Sequence, residues 1–193
     1  MIQTTVQIKE NWNKISKKYG GYRRDPLPAV RAFLDNVDSE LLDIGCGNCI
    51  TTSRVLKNGF KIRGIDFSKE VLKHTLPGVT KIEADATDIP LKKKFKYIAA
   101  LGLMHHLPTE KDRLAFLKEV KRLLAKDGQA IITVWYSMKK GDRIKKWGEI
   151  ERYYYMFSKK ELRDLLEKAG FHNFKITLAT TVKKKNYIIT IIG

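Results

Sequence analysis

Apolar strand-like segments recur along this chain with helical segments between most of them, and this order constrains the fold more than any other feature. Strand character is found in five segments, residues 40–44, 60–66, 79–85, 96–103 and 129–136. A strand, a helix and a second strand in that order form a parallel pair with a right-handed crossover. The sequence therefore predicts an α/β, doubly wound, Rossmann-like fold.

The end of the chain predicts how the sheet is completed. A capped amphipathic helix beginning near Ser158 is followed by two strand segments, KITLAT and NYIITIIG, joined by the basic turn VKKK. Strands joined so closely pair in the antiparallel sense, so we expect a seven-stranded sheet ending in an antiparallel hairpin.

Helices are predicted outside these strands as well. Residues 5–19 and a segment beginning near Pro28 precede the first strand, and proline suits the first turn of a helix. Residues 109–125 predict a helix before the fifth strand, and its apolar spacing marks one buried face, formed by Leu114, Leu117, Val120 and Leu124.

The chain of 193 residues has the length of one domain, since single cores usually reach about 100 to 200 residues. We expect residues 1–193 to form one domain, with 1–38 as a helical cap beside a ligand site and 39–193 as the core. No apolar run approaches the ~18 residues that span a bilayer, and no export signal is recognisable. These features predict a cytoplasmic location and no membrane partner.

Charge is the strongest compositional feature, with 38 basic and 21 acidic residues and a net charge of +17. Such a surface attracts polyanions, so RNA or DNA is the expected class of partner. The alternative is a proteome that is merely rich in lysine. Residues 139–185 contain 14 Lys or Arg and 6 Asp or Glu, hence +8, in segments that are predicted as loops after strands.

The first core strand runs into a glycine-rich loop, DIGCGNC, at residues 43–49. Gly45 and Gly47 allow a ligand to lie close to the backbone, and Asp43 can accept hydrogen bonds from a ligand ammonium or from loop amides. Cys46 and Cys49 are the only cysteines, so a four-cysteine zinc site is excluded, and we expect two small side chains in a tight loop rather than a redox pair.

Two further acids stand at the ends of the next strands. Asp66 follows Asp43 by 23 residues, where a carboxylate can accept from both hydroxyls of a ribose. Asp85 ends the third strand and can accept from the exocyclic amine of adenine, although a capping role is the alternative. A dinucleotide usually needs a loop with three glycines, and Cys49 occupies the third position here. The pattern favours a shorter ligand that contains adenosine.

Five segments in this order and spacing resemble the motifs of class I methyltransferases, namely LLDIGCGN, GIDFS, EADATDIPL, ALGLMHHL and LLAKDGQAIITVW, across residues 41–135. The flanks resemble one branch, the tRNA wobble-uridine carboxymethyl methyltransferases, through WNKISKKY, RRDPLPAV, the double histidine, the Val134-Trp135 pair and RYYYMF. Three features depart from that branch. They are Cys49 in place of a glycine, Pro26-Leu27-Pro28 in place of Pro-Trp-Pro, and a short loop from Ser137 to Glu151.

The resemblance implies S-adenosylmethionine as the cofactor, S-adenosylhomocysteine as the product, and 5-carboxymethyluridine in the tRNA anticodon loop as the group that is methyl-esterified. It also implies a small zinc-binding activator subunit that covers an apolar edge of the sheet. The predicted cofactor-binding residues are Tyr19, Asp43, Gly45, Cys46, Gly47, Asp66, Phe67, Asp85, Ala86 and Leu101. The predicted catalytic residues are Arg23, Arg152, His105 and His106, and no metal site is predicted.

Esterification of a carboxylate explains why arginines are expected in the site. A carboxyl group with a pKa near ~4 is already ionised at neutral pH, so the enzyme needs no general base. A guanidinium can align the carboxylate through a bidentate pair. Among Arg23, Arg24 and Arg152 we favour the first and the last; a phosphate contact or a surface salt bridge is the alternative for each.

Aromatic and histidine side chains complete the predicted site. His105 and His106 follow the fourth strand, so we expect one to face the transfer site and the other to be a packed loop histidine. Tyr153, Tyr154 and Tyr155 cannot all face one way, and we expect one or two of them to be available for stacking on RNA bases.

Three functions from different classes remain open from the sequence. The leading one is the tRNA wobble-uridine methyltransferase. The second is a methyltransferase that acts on a quinone, a sterol-like acceptor or an organic acid, because the core motifs are shared with such enzymes. The third is a catalytically silent RNA-binding protein that has lost cofactor affinity through Cys49.

Overall fold

The computed structural model describes residues 3–16, 25–180 and 185–193. The strands are β1 (Leu41–Ile44), β2 (Ile62–Asp66), β3 (Val79–Glu83), β4 (Phe95–Leu101), β5 (Leu124–Trp135), β6 (Gly141–Trp147), β7 (Ile150–Met156), β8 (Phe174–Thr180) and β9 (Lys185–Ile192). The helices are α1 (Thr5–Ser16), α2 (Pro28–Asp35), α3 (Ser53–Lys57), α4 (Lys69–Leu72), α5 (Glu110–Leu123) and α6 (Lys159–Lys168), with a 3-10 turn at Met104–His106.

One sheet contains seven strands in the order β3-β2-β1-β4-β5-β9-β8. The first five strands in the chain pair in parallel, whereas β9 is antiparallel to both β5 and β8. The predicted doubly wound sheet with an antiparallel hairpin at its edge is therefore confirmed.

The central strands of the sheet are buried on both faces, as expected for parallel strands covered by helices. All four residues of β1 are buried because this strand lies between β2 and β4. Leu42 and Ile44 face the cluster that contains α5 and α6, whereas Leu41 faces the cluster that contains α2 and α3. This alternation places β1 at the centre of the core and directs its carboxyl end toward the glycine-rich loop.

Helix α5 begins at a capping box formed by Thr109 and Asp112, close to its predicted start. The predicted buried face is wrong at two positions, because Leu114 is only half-buried and Leu124 begins β5. Arg113 occupies part of that face instead. Its guanidinium donates to the carbonyls of Leu107 and Pro108, and these contacts satisfy a charge that is otherwise costly to bury.

The segment from residue 137 to 151, predicted as a short loop, contains most of a second, two-stranded sheet. Strands β6 and β7 form an antiparallel hairpin whose closing pair is Trp147 and Ile150. The sequence did not indicate β6 because most of its residues are charged and exposed, so no apolar alternation marks it. This hairpin carries the tyrosine run on β7.

Helix α1 packs across the sheet edge and connects two parts of the molecule. Ser68 at the start of α4 donates to the side chain of Asn13, and the side chain of Asn11 donates to the carbonyl of Glu151 at 2.8 Å. The described helix ends at Ser16, whereas the sequence predicted a helix to residue 19, beyond the described range. Through these contacts α1 lies over the carboxyl ends of the parallel strands.

Candidate functional site

The loop after β1 makes a tight turn that depends on left-handed backbone conformations. Gly45 and Gly47 have φ values of +67° and +56°, and a Cβ on Gly45 would meet the Leu103 side chain at 2.8 Å. The N–H of Cys49 donates to the carbonyl of Cys46 at 2.9 Å and closes the turn. The two glycines are therefore required by conformation, as the sequence predicted.

Cys49 has a φ of +57°, in the region that disfavours side chains with a Cβ, and it is buried. This explains why glycine is usual at this position. The thiols lie against Gly64 of β2, where an added Cβ would be 2.8 Å from Sγ of Cys46 and 3.0 Å from Sγ of Cys49. A hydrogen bond to Cys49 and burial raise the pKa of Cys46, so both cysteines are small packed thiols in a tight loop.

Replacement of Cys49 tests this backbone strain. We expect Cys49→Gly to be about 1 kcal/mol more stable than Cys49→Ala, because both variants lose the sulfur but only alanine keeps a Cβ at positive φ. Urea unfolding of the two variants measures the difference. Equal stabilities, or a more stable alanine variant, would contradict the role of strain.

Asp43 is a buried carboxylate directly before the loop. It is 3% exposed and accepts a hydrogen bond from Oγ1 of Thr52 at 2.7 Å. Burial raises the pKa of Asp43 from 3.8 to about 7, since the hydroxyl of Thr52 compensates only part of the lost hydration. A cation entering the site would favour the ionised form of this residue.

The raised pKa of Asp43 predicts how stability depends on pH. Between pH 3.8 and about 7 the folded chain holds a proton that the unfolded chain releases, so this contribution is present at low pH and is lost as pH rises through 7. We therefore expect Asp43→Asn to raise Tm relative to the unsubstituted protein at pH 8 and to lose more than half of that advantage by pH 5.

Comparing Asp43→Asn with the unsubstituted protein also cancels the effect of His106. Burial lowers the pKa of His106 to about 3, which destabilises the fold in acid equally in the variant and in the unsubstituted protein. Thermal unfolding of ligand-free protein across pH 5–8.5 measures the difference between the two Tm values. A difference that does not change with pH would contradict the raised pKa of Asp43.

Asp66 ends β2 on the other side of the loop. Its carboxylate accepts from the N–H groups of Gly47 and Ser68, each at 3.0 Å, and so holds two loops in place. Burial raises the pKa of Asp66 to about 6, opposed by these hydrogen bonds. The Asp66 side chain is therefore held in place by two backbone N–H groups, and it also lines a cavity.

That first cavity has a volume of about 100 Å³ and lies between the strand ends and α1. Its walls include seven of the residues that were predicted to bind the cofactor, Gly45, Gly47, Asp66, Phe67, Asp85, Ala86 and Leu101. Ile8 and Val71 contribute apolar surface. Asp85 also accepts from the N–H and the hydroxyl of Thr87 at 2.8 and 2.7 Å, which is a capping role in a turn rather than in a helix.

A second cavity of about 380 Å³ adjoins the first, and both are lined by Trp12, Gly45, Gly47, Leu101, Gly102 and His106. The second cavity is also lined by Asp43, Cys46, His105 and Arg152. The structure thus brings the predicted cofactor-binding residues and three of the four predicted catalytic residues to one groove. Tyr19 and Arg23, together with Arg24, lie outside the described residues.

The two histidines are buried neighbours with ring centroids 4.4 Å apart. Nδ1 of His106 lies 2.9 Å from the carbonyl of Tyr153, which can only accept, so the proton of the neutral ring is on Nδ1 and Nε2 is an acceptor. Nδ1 of His105 accepts from the N–H of Trp135 at 3.3 Å, so its neutral ring carries the proton on Nε2. The sequence expected only one of them at the site, whereas both line the second cavity.

Arg152 is placed by aromatic rings. Its guanidinium carbon lies 4.7 Å from the ring centre of Trp12 and 5.2 Å from that of Tyr154. Within residues 3–16, 25–180 and 185–193 no carboxylate forms an ion pair with Arg152, and its buried Nε has no hydrogen-bond partner there. Contacts with ring faces leave the in-plane N–H donors for an anion.

The tyrosine run is packed more tightly than the sequence predicted. Tyr153 and Tyr154 are 1% and 2% exposed, and Tyr155 is half-buried with its hydroxyl donating to Glu161 at 2.8 Å. Two of the three rings are therefore core, and only Tyr155 keeps an exposed fraction, so the availability of one ring to RNA stays a prediction. The hairpin register directs Tyr154 toward Arg152 and Tyr153 to the opposite face, where its hydroxyl donates to the Asp142 carboxylate at 2.5 Å and lies 3.1 Å from the carbonyl of Pro108.

A family model described as a methyltransferase domain matches residues 19–176. The chain belongs to this methyltransferase family. The match confirms the predicted class I S-adenosylmethionine-dependent methyltransferase and, with it, the predicted cofactor.

Two curated relatives of this methyltransferase carry the name tRNA (carboxymethyluridine(34)-5-O)-methyltransferase. The protein of Schizosaccharomyces pombe is 26% identical, over 84% of this chain and 87% of its own length. The protein of Arabidopsis thaliana is 29% identical over 69% of this chain, which spans only 35% of that relative.

Solved structures resemble the methyltransferase in fold. A methyltransferase from Methanosarcina mazei has a TM-score of 0.73 at 20% identity and covers 88% of this chain and 98% of its own. The 1,6-didemethyltoxoflavin-N1-methyltransferase of Burkholderia thailandensis, solved with S-adenosylhomocysteine, has a TM-score of 0.72 at 19% identity and covers 97% of this chain and 87% of its own. In the described part of the methyltransferase, no helix has the length and apolarity to cross a membrane.

Several side chains that shape the groove were not predicted from the sequence. Trp12, Thr52 and Trp147 line or support the second cavity, although none was predicted to belong to the site. Trp12 falls within the quoted segment WNKISKKY, so that resemblance was the available signal for it. Nothing in the sequence indicated Trp147, because the strand that carries it was not recognised.

Proposed function

We propose that this methyltransferase esterifies the carboxylate of 5-carboxymethyluridine at the wobble position of tRNA. The observation that carries the proposal is Arg152. Its guanidinium lies on the wall of the second cavity, contacts the rings of Trp12 and Tyr154, and has no ion-paired carboxylate in the described ranges. The names of the fission yeast and Arabidopsis relatives support this choice of acceptor.

The first cavity has the chemistry that an adenosine-containing cofactor requires. Asp66 is a carboxylate acceptor for ribose hydroxyls, Asp85 is an acceptor for an exocyclic amine, and apolar side chains flank the space between them. Asp43 and the loop at Gly45 and Gly47 would hold the amino acid part. When bound, S-adenosylmethionine supplies a methyl group attached to a positively charged sulfur.

The reaction also requires residues that orient the acceptor carboxylate toward the cofactor. Arg152 binds the carboxylate through its in-plane donors and fixes the direction from which an oxygen approaches the cofactor side of the groove. No residue needs to remove a proton, because the acceptor is already ionised at neutral pH. His106 fits this chemistry, since burial lowers its pKa to about 3 and keeps the ring neutral beside Arg152.

The net charge of +17 is consistent with a polyanionic substrate, because lysine and arginine side chains release condensed counterions when they contact phosphates. We therefore infer that the anticodon loop docks on the basic surface around β6 and β7, in the cytoplasm. Arg23 remains a second candidate for the carboxylate or for a phosphate, and Tyr19 remains a candidate for the cofactor. A small zinc-binding activator subunit is proposed as a partner by resemblance.

Methyl transfer to defined anticodon stem-loops tests the function. The protein, alone and co-expressed with the proposed activator, is incubated with S-adenosylmethionine carrying a labelled methyl group. We expect label in a stem-loop with 5-carboxymethyluridine at position 34 and none in the same stem-loop with uridine. The label should be released by mild alkali, because a methyl ester hydrolyses and an N-methyl group does not.

Three other outcomes separate the alternatives. Label that resists alkali, or that enters the uridine stem-loop, would exclude esterification. Label that survives ribonuclease treatment of whole-cell extracts would indicate a small-molecule acceptor. Absence of S-adenosylhomocysteine binding in calorimetry at millimolar ligand would indicate a catalytically silent protein.

A further inference from the structure

All three tryptophans of the chain line the second cavity, but among the described residues only two of them contact other rings or cations. Trp12 contacts the guanidinium of Arg152 at 4.7 Å, and Trp135 stacks on Tyr154 with ring centroids 4.6 Å apart. Over the described ranges, no aromatic ring and no cation is in contact with Trp147. Trp147 is half-buried, so its ring surface is available inside the cavity.

The hairpin register places Trp147 on the same face as Arg152. Trp147 is opposite Ile150, and Lys145 is opposite Arg152, so these side chains project to one side of the two-stranded sheet. Diagonal neighbours on such a face lie about 7–8 Å apart between their backbones. This spacing leaves room for one planar ring system beside Trp147 with its anionic substituent at Arg152.

The acidic residues of the two hairpin strands lie on only one of the two faces. Arg143, Lys145 and Arg152 share the face of Trp147, whereas the acids of the two strands, Asp142 and Glu151, lie on the opposite face. Lys145 extends over the ring of Trp135, with Nζ at 5.3 Å from its centre. The face that borders the cavity is therefore aromatic and cationic, which suits a nucleobase that carries a carboxylate.

We propose that Trp147 is the stacking platform for the base of the acceptor nucleotide, and that it works with Arg152 to select a planar base with an anionic substituent. This inference rests on the proposed function and deepens it. The tight turn after Trp147, where Gly148 has a φ of +61°, places the ring at the tip of the hairpin, where an extruded base of a single-stranded loop can reach it.

The test compares Trp147→Ala and Trp147→Phe with a matched control, Ile144→Ala. Ile144 is 41% exposed and lies on the opposite face of the same strand. With the 5-carboxymethyluridine stem-loop, we expect Trp147→Ala to raise KM by about 10- to 100-fold, since stacking on an aromatic side chain accounts for such a factor. Trp147→Phe should retain most of the affinity, and Ile144→Ala should match the unsubstituted enzyme.

Affinity for S-adenosylhomocysteine separates stacking from a structural role and is expected to be unchanged in all three variants. A KM for Trp147→Ala that equals that of Ile144→Ala would overturn the proposal, and so would a loss of cofactor affinity in Trp147→Ala. Failure of the unsubstituted enzyme to label the carboxymethyl stem-loop would instead refute the proposed function, so the two failures are distinguishable.

Discussion

Replacement of Arg152 by alanine is expected to lower kcat/KM for the carboxymethyl stem-loop by about 10²- to 10³-fold, because removal of one member of a desolvated charge pair typically costs about 2–5 kcal/mol. The affinity for S-adenosylhomocysteine should stay within about 2-fold, since Arg152 lines only the second cavity. Steady-state kinetics with the stem-loop and calorimetry with the cofactor product measure the two effects.

Two further variants sharpen the result. Arg152→Lys keeps the charge but not the planar fork, so we expect an intermediate rate if the bidentate geometry matters. Lys146→Ala removes a cation from the opposite face of the same hairpin and should leave transfer nearly unchanged. Transfer by Arg152→Ala at the unsubstituted rate, or a large loss of cofactor affinity in that variant, would refute the role of Arg152.

Replacement of Asp66 by alanine is expected to raise the dissociation constant of S-adenosylhomocysteine by about 10²-fold or more, because each hydrogen bond to a charged group contributes about 1.5–3 kcal/mol. The carboxylate would accept from two ribose hydroxyls, and it also holds the N–H groups of Gly47 and Ser68 at 3.0 Å. Calorimetry at pH 8, above the pKa of about 6, measures binding to the ionised form.

Loss of the loop hydrogen bonds could by itself distort the site, so the experiment includes two controls. Asp66→Asn retains an acceptor for one of the backbone N–H groups and should bind better than the alanine variant but worse than the unsubstituted protein. Glu83→Ala removes a neighbouring carboxylate that pairs with Lys9 at the surface, and it should leave cofactor affinity unchanged. Tight binding by Asp66→Ala would contradict the assignment.

The cofactor side of the groove was largely predictable because its residues stand at the ends of consecutive strands. In a parallel sheet all such ends meet at one edge, so residues that follow different strands become neighbours without any knowledge of side-chain packing. Asp43 and Asp66 illustrate this, since they lie in the last two residues of β1 and β2, and Asp85 follows β3 closely. Gly45 and Gly47 were predictable for a related reason, because a tight turn between strand and helix needs positive φ.

The acceptor side was predictable only in part. The resemblance indicated Arg152, but not that Trp12 from α1 and Tyr154 from β7 would hold its guanidinium. The tyrosine run suggested exposed stacking surfaces, whereas the hairpin register buries Tyr153 and Tyr154. Trp147, the ring that remains available in the cavity, lies on a strand without apolar alternation.

The sequence by itself determined the order of the strands in the main sheet and of the helices between them, the parallel sheet with its closing hairpin, and the acids and glycines around the first cavity. These features are local, because periodicity and turn chemistry act over a few residues. Only the tertiary structure decided which aromatic rings are buried, that Cys49 adopts a left-handed conformation against Gly64, and that β6 and β7 bring Arg152 and Trp147 to one cavity. Those outcomes depend on the register between strands and on contacts between distant segments, which no local pattern encodes.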